Sequence, residues 1–398
     1  MADYSDLDPT ALRASLSDGT RLKKSITTDL YTGGTPSAAN QVKPSIMYAD
    51  GTLKESITYA DGTLKPSWLI AGGGGGVDTT LFITEWTVAG ADTLTMPTTG
   101  TGYNGTVTWK DSLGATVSTG AFTDVDMTPL QNIAVDGVNS PYTCEISGDF
   151  PRVYFNNTGD KDLITDVTQW GSQVWTSMAV SFMGCSNIQF TAIDAPDLSV
   201  CTSMSNMLRL ATAFNSPMNH WDVSNILYIE RLFDSTSFNQ PLDQWDVSSV
   251  TTLSLTFFNC PFNQDISGWT TTSLTNLGST FYNNTDFNQD ISGWNTSGVT
   301  TMGSTFRGAT SMDQDLGSLD ITGLTGAGMT LFLFGVTMST ANYDATLNGF
   351  KAQVEANSDL PASISFHGGT SNYSTAGQAA HNYLTGTASW TITDGGLA

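Results

Sequence analysis

The stretch FNQDISGWT at 262–270 returns as FNQDISGWN at 287–295, a step too long for a helical period and too short for a domain. Degraded copies flank it. The opening aromatic recurs as Phe214, Phe238, Phe262 and Phe287, with Met312 next, and the tryptophan as Trp221, Trp245, Trp269 and Trp294. A second line runs Phe182, Leu208, Phe233, Phe257, Phe281 and Phe306. Four residues before each stands an apolar partner: Met178, Met204, Ile229, Leu253, Leu277 and Met302. Steps of 24 to 26 residues are the signature of a stacked repeat. One unit cannot bury its apolar side alone, so every turn must offer the same inward side chains at the same height. The expectation is a solenoid of 24–26-residue coils over residues 152–340, its core built on these Phe and Trp columns. The Asn of each FNQ (Asn215, Asn239, Asn263, Asn288) is expected to satisfy buried backbone groups at a turn. A calcium ladder is disfavoured, because NQDIS lacks the glycine-spaced aspartates of a calcium-binding β-roll.

The chain before the repeats reads differently. TLFITEWTV, ADTLTMP, GTVTWKD, ATVSTGAF and YTCEISG, within 77–151, are short alternating segments spaced by turns, which predicts a small β-sandwich. Five glycines at 72–76 read as a hinge, since glycine runs are flexible coil. They sit in neither a GxxxxGK[ST] nor a strand–GxGxxG–helix context, so no phosphate loop is expected. In residues 1–71, YADGTLKES at 48–56 returns as YADGTLKPS at 59–67, and a looser SDGTRLKKSI begins at Ser17. Asp-Gly between alternating flanks is a hairpin signal. Such arms bury too little to stand alone, so this segment is expected to be an extended or β-hairpin anchor that orders by docking or by association between chains. The overall expectation is a mainly β chain.

Composition narrows the chemistry. Only 13% of residues are charged, yet 14 Lys+Arg against 37 Asp+Glu leave −23. That charge repels phosphate backbones, so nucleic acid is not an expected partner. No apolar run approaches the ~18 residues that span a bilayer, so no membrane insertion is expected. MADYSDLDPTALRASL lacks the basic start and apolar core of a secretory signal, and synthesis in a cytoplasm is the expectation. Cys144, Cys185, Cys201 and Cys260 show no CxxC spacing and read as free buried thiols. His367 and His381 fall in the tail, without a cysteine or carboxylate pair at ligand spacing, and His220 precedes Trp221. No metal, cofactor or catalytic residue is therefore assigned. Acid pairs such as Asp313/Asp315 and Asp243/Asp246 resemble a glycosidase dyad only superficially, because that chemistry needs two carboxyls facing across a cleft.

MSNML, FNSPMNHWDVSNI, FNQPLDQWDVSSVTTL and FNQDISGW together resemble the BspA-type leucine-rich repeats of bacterial surface proteins, over about 170–335. The stretch 146–178, with APDLS at 195–199, is similar to the lead-in that joins a β-sandwich to such repeats. YDATLNGFKAQ at 343–353, FHGGTSNYS and LTGTASWTITDGG resemble a closing cap, placed at 341–398. Leu319 and Asp320 stand where the fifth Trp-Asp would be, so the last coil departs from the pattern. The resemblance implies a leucine-rich-repeat solenoid and a surface adhesion protein without catalysis. Family members usually carry export signals. The lack of one here, with the hairpin repeats and the hinge, suggests a bacteriophage fibre or decoration protein made in the host cytoplasm and carried on the virion. The alternatives are a bacterial cell-surface adhesin exported by another route and, less favoured, a glycan depolymerase.

The expected partners are other virion proteins through residues 1–71, and a host-surface glycan or protein through the solenoid. A homotrimer is expected, because weak hairpins gain stability by winding together. Solenoids bind through an extended face. The candidate contact residues are the variable polar positions Thr252, Ser254, Asn276, Gly278, Thr301 and Gly303.

Overall fold

The computed structural model describes residues 78–357 and 363–398, and the backbone of 45–47 and 53–55. The chain divides into two compact units, Met1–Val77 and Asp78–Ala398. In the first, β1 (Ser45–Met47) and β2 (Leu53–Glu55) pair antiparallel with Met47 opposite Leu53, so Asp50-Gly51 falls within their connection. The copies at Ser17 and Asp61-Gly62, and the glycines at 72–76, lie outside the described residues.

The second unit opens with β3 (Phe82–Trp86), β4 (Asp92–Leu94), β5 (Asn104–Lys110) and β6 (Thr116–Thr123). There follow β7 (Ile133–Val135), β8 (Tyr142–Asp149), β9 (Ile164–Gln169) and β10 (Gln189–Phe190). Six of these form one sheet in the order β10-β9-β3-β8-β5-β6, and β4 pairs with β7 apart from it. Neighbours in the sheet are antiparallel except β9 and β10. Alternation decides which face is buried. Phe82, Thr84 and Trp86 of β3 and Tyr142, Cys144 and Ile146 of β8 point inward. There Phe82 meets Trp175 edge-on at 4.9 Å and Trp86 meets Trp109 at 5.5 Å.

The expected architecture, a small β-sandwich followed by a leucine-rich-repeat solenoid, is corrected here. Apart from the β4–β7 pair, the first strands join one sheet that recruits β9 and β10 from beyond residue 151. Among the described residues, no strand of two or more residues lies between Phe190 and Thr340, so there is no continuous repeat sheet. The rows there are turns.

The physical reason lies in the backbone. Leu253, Leu255, Phe257 and Asn259 donate their amides to Asn276, Gly278, Thr280 and Tyr282 of the next row. The amides between them close turns in their own row, Thr256 onto Leu253 and Phe258 onto Leu255. Two residues per row, four apart, are left-handed: Leu255 and Asn259, Ser279 and Asn283, Ser304 and Gly308, Leu331 and Gly335. A left-handed residue at these places curls the chain out of the extended region. Adjacent rows therefore touch through single parallel bridges, Ser203–Tyr228–Thr252–Asn276–Thr301, while every other amide still finds a carbonyl in the next row.

Side chains stack in register over this ladder. Phe233, Phe257, Phe281 and Phe306 lie 5.6–5.7 Å apart with nearly parallel rings. Within rows, Phe233 meets Phe238 at 3.9 Å, Phe257 meets Phe262 at 4.1 Å and Phe281 meets Phe287 at 3.7 Å. Trp245, Trp269 and Trp294 each donate the indole N–H to a carbonyl one row back, on Met218, Leu242 and Ile266. This answers the need of a buried indole for a partner. The Asn column works likewise: Asn215, Asn239, Asn263 and Asn288 accept, through Oδ1, the backbone amides of Asn239, Asn263, Asn288 and Asp313. Asp313 passes the pattern on to Ser339.

Ser339 is the N-cap of α1 (Thr340–Ala356), and Ser374 that of α2 (Thr375–Gly386). Around the helices run β11 (Ser365–His367), β12 (Asn372–Tyr373), β13 (Thr391–Thr393) and β14 (Gly396–Leu397), paired β11–β13 and β12–β14 in parallel. Tyr343, Leu347 and Phe350 of α1 are buried, with Phe350 edge-on to Phe366 at 5.7 Å. Phe366 bridges Met329 and His367 accepts the amide of Leu333, so β11 supplies the closing rungs of the ladder. An open last row would expose its apolar edge. No helix among the described residues is long and apolar enough to cross a membrane.

Candidate functional site: the outward face of the stacked rows

All six candidate contact residues lie on one face, half-buried, in two neighbouring columns. Thr252, Asn276 and Thr301 occupy the bridge column, where each pairs with the next row. Ser254, Gly278 and Gly303 sit two residues on, and their carbonyls accept the amides of Arg231, Leu255 and Ser279. The bridge side chains are partly committed to their own turns. Thr252 Oγ1 accepts Ser254 N, Asn276 Oδ1 accepts Gly278 N at 2.8 Å, and Thr301 Oγ1 faces Gly303 N at 3.5 Å. This is local turn chemistry. Asn276 keeps its amide nitrogen unengaged among the described residues.

The structure adds residues that the sequence reading missed. Tyr228, in the bridge column itself, is 46% exposed. Four residues beyond the glycine column runs a third line, Arg209, Asp234, Phe258, Tyr282, Arg307 and Phe334, whose carbonyls all accept ladder bonds. At one end Arg209 and Arg231 hold Asp234 at 3.1 and 2.8 Å. At the other, Phe258 meets Tyr282 edge-on at 5.0 Å, and Phe334 meets His367 at 5.2 Å. Arg307 lies over both Tyr282 and Phe334, with its guanidinium carbon 4.8 and 5.2 Å from their ring centres. A signal for this column exists in the sequence as doublets: Phe257-Phe258, Phe281-Tyr282, Phe306-Arg307 and Leu333-Phe334. The first residue of each faces in and the second faces out.

The repeat carboxylates are turn builders. Hydrogen bonds from Ser224 and Ser248 hold Asp222 and Asp246 below the usual carboxylate range, and the backbone amide of Ser267 does the same for Asp265. Burial pushes Asp313 up, but the bonds from Ser339 and Asn342 outweigh it, and its carboxyl is also lowered. The histidines are dispersed. His220 Nε2 is 3.3 Å from the Asp194 carbonyl, and His367 Nδ1 accepts the Gly369 amide, while burial lowers the His367 pKa. His381 stacks on Tyr373 at 4.4 Å, beside Asp394 at 3.5 Å. Among the described residues no group of three or more His, Cys, Asp or Glu is placed to hold a metal ion. The four cysteines are buried and unpaired.

Stacked turns around an aromatic core, with an outward face of polar and aromatic columns, define a repeat protein. Residues 151–261 and 235–332 each match the family described as "Mycoplasma protein of unknown function, DUF285". The two matches overlap, fall on the stacked rows and span somewhat under half of the chain. The repeat segment is therefore similar to this repeat family, consistent with the BspA-type resemblance. No curated protein and no solved structure matches the chain.

Proposed function

We propose that this chain is a non-enzymatic adhesive protein of a bacteriophage virion, of fibre or decoration type. Residues 1–71 attach it to other virion proteins and favour a homotrimer, and the repeat segment presents its outward face to a glycan or protein of the host surface. The observation that carries this reading is the division of labour in the rows. The inner Phe, Trp and Asn columns are spent on stacking, whereas the outward face keeps aromatic rings and polar groups that stacking does not require. The lowered repeat carboxylates also fit a binding surface better than a glycosidase, whose acid must hold its proton near neutral pH.

Mass spectrometry of gradient-purified phage particles, beside a washed cell-envelope fraction, tests the assignment. Full-length chain in particles, with peptides from residues 1–71, is the expected result; recovery only from envelopes overturns it. The second reading, a bacterial surface adhesin, is favoured by the match to a family described from Mycoplasma and would be supported by that other outcome.

A further inference from the structure

Residues 78–398 contain seven Lys and Arg: Lys110, Arg152, Lys161, Arg209, Arg231, Arg307 and Lys351. Lys110, Lys161, Arg209, Arg231 and Lys351 each contact a carboxylate, and Arg152 donates to the Ala179 carbonyl. Arg307 alone makes neither an ion pair nor a side-chain hydrogen bond among the described residues; it is held between two aromatic rings instead. In a chain with 37 Asp and Glu, carboxylates are plentiful, yet none among the described residues is placed against this guanidinium. Ring contacts on both sides fix its plane and leave its N–H fork to be satisfied from outside.

The surroundings are shaped as well as charged. Gly278 and Gly303 stand on the same rows as Tyr282 and Arg307, where Ser254 and Glu230 carry side chains in earlier rows. A Cβ on Gly278 would come within 4 Å of only Asn276 Oδ1 and the Gly303 carbonyl, and one on Gly303 would meet only the Thr330 carbonyl and Thr301 Oγ1. Both positions therefore lack a side chain, with Asn276 Oδ1 standing 3.1 Å from where a Cβ on Gly278 would lie. A shallow trough results, floored by glycine backbone, with Asn276 and Thr301 on one side and Tyr282, Arg307 and Phe334 on the other. Phe334 is 44% exposed.

Building on the adhesive reading above, we infer that this trough binds a carboxylate-bearing sugar of a surface glycan, of the uronic or sialic acid class. The carboxylate pairs two-fold with the Arg307 fork, the apolar face of the sugar ring stacks on Phe334 or Tyr282, and Asn276 Nδ2 donates to a hydroxyl. Charge selects the ligand further. The molecule carries −23, so a polyanion is repelled at long range, whereas one acidic unit in an otherwise neutral glycan is not.

The test presents neutral oligosaccharides, and the same oligosaccharides ending in sialic or glucuronic acid, to the full chain. Arg307→Gln, Arg307→Lys and Phe334→Ala are compared with Lys351→Gln, on the cap helix, as the control. Urea midpoints verify that each variant folds. Binding of the acid-terminated glycans, weakened roughly 10- to 100-fold by Arg307→Gln, as loss of a bidentate charged contact implies, and only partly restored by Arg307→Lys, supports the inference. Equal binding of neutral and acidic glycans, or indifference to Arg307→Gln, overturns it. If the chain binds host cells but no acidic glycan, the inference fails and the adhesive function stands. If it binds neither, both fail.

Discussion

Asn263 offers the sharpest test of how the rows are joined. Its Oδ1 accepts the backbone amide of Asn288 at 2.9 Å and Nε2 of Gln289 at 2.9 Å, while its own amide donates to Asn239. Asn263→Ala leaves that last bond intact, and Gln289 Nε2 keeps its bond to the Asn263 carbonyl at 3.0 Å, but the Asn288 amide is orphaned. A buried amide left without a partner costs about 1–3 kcal/mol. Asn288 is half-buried, so water recovers part of this. The expected loss is about 2 kcal/mol, read as a lower urea midpoint of tryptophan fluorescence. Asn263→Asp keeps the acceptor, and Asp313 does this same work further along the column, accepting Ser339 N at 2.7 Å and Asn342 Nδ2 at 3.1 Å. It should lose less than half as much. If Asn263→Ala stays within about 0.5 kcal/mol of wild type, or Asn263→Asp is equally damaged, the Asn column does not join the rows as described.

Other expectations follow from the same packing. Trp269→Phe keeps most of the stack with Trp294 but leaves the Leu242 carbonyl without its indole donor, and should cost about 1–2 kcal/mol in the same denaturation assay. Gly369→Ala places a methyl 2.0 Å from the Val336 carbonyl at φ +72°, so the cap should loosen, with faster amide exchange in Ser365–His367 than in Leu253–Asn259. Burial pushes the Cys260 thiol from an ordinary 9.0 up to about 12; the unfolded thiol ionises first, so its contribution is complete below pH 9 and disappears as pH rises from 9 to about 12. Melting temperature should therefore fall across that window less steeply in Cys260→Ala than in wild type. At pH 8 the native chain should react with a thiol reagent far more slowly than the unfolded chain does, since all four cysteines are buried.

The period of the repeat was determined by sequence alone, because a stacked row must return identical inward groups, and Phe257, Phe281 and Phe306 meet at the spacing their recurrence requires. So was the presence of short strands before it, since Phe82, Thr84 and Trp86 alternate inward as the pattern dictates. Which strands pair was decided only in three dimensions: β9 and β10 join the first sheet through hydrogen bonds that no local pattern encodes. The conformation of the rows was equally illegible. Leu210 and Leu255 are left-handed, a state that leucine's own preference opposes, and their amide bonds to the next row hold them there. The six polar positions of the outward face could be placed by periodicity, but not the pairing of Arg307 with Tyr282 and Phe334. Those three lie 25 and 27 residues apart in the chain and become neighbours only when the rows stack.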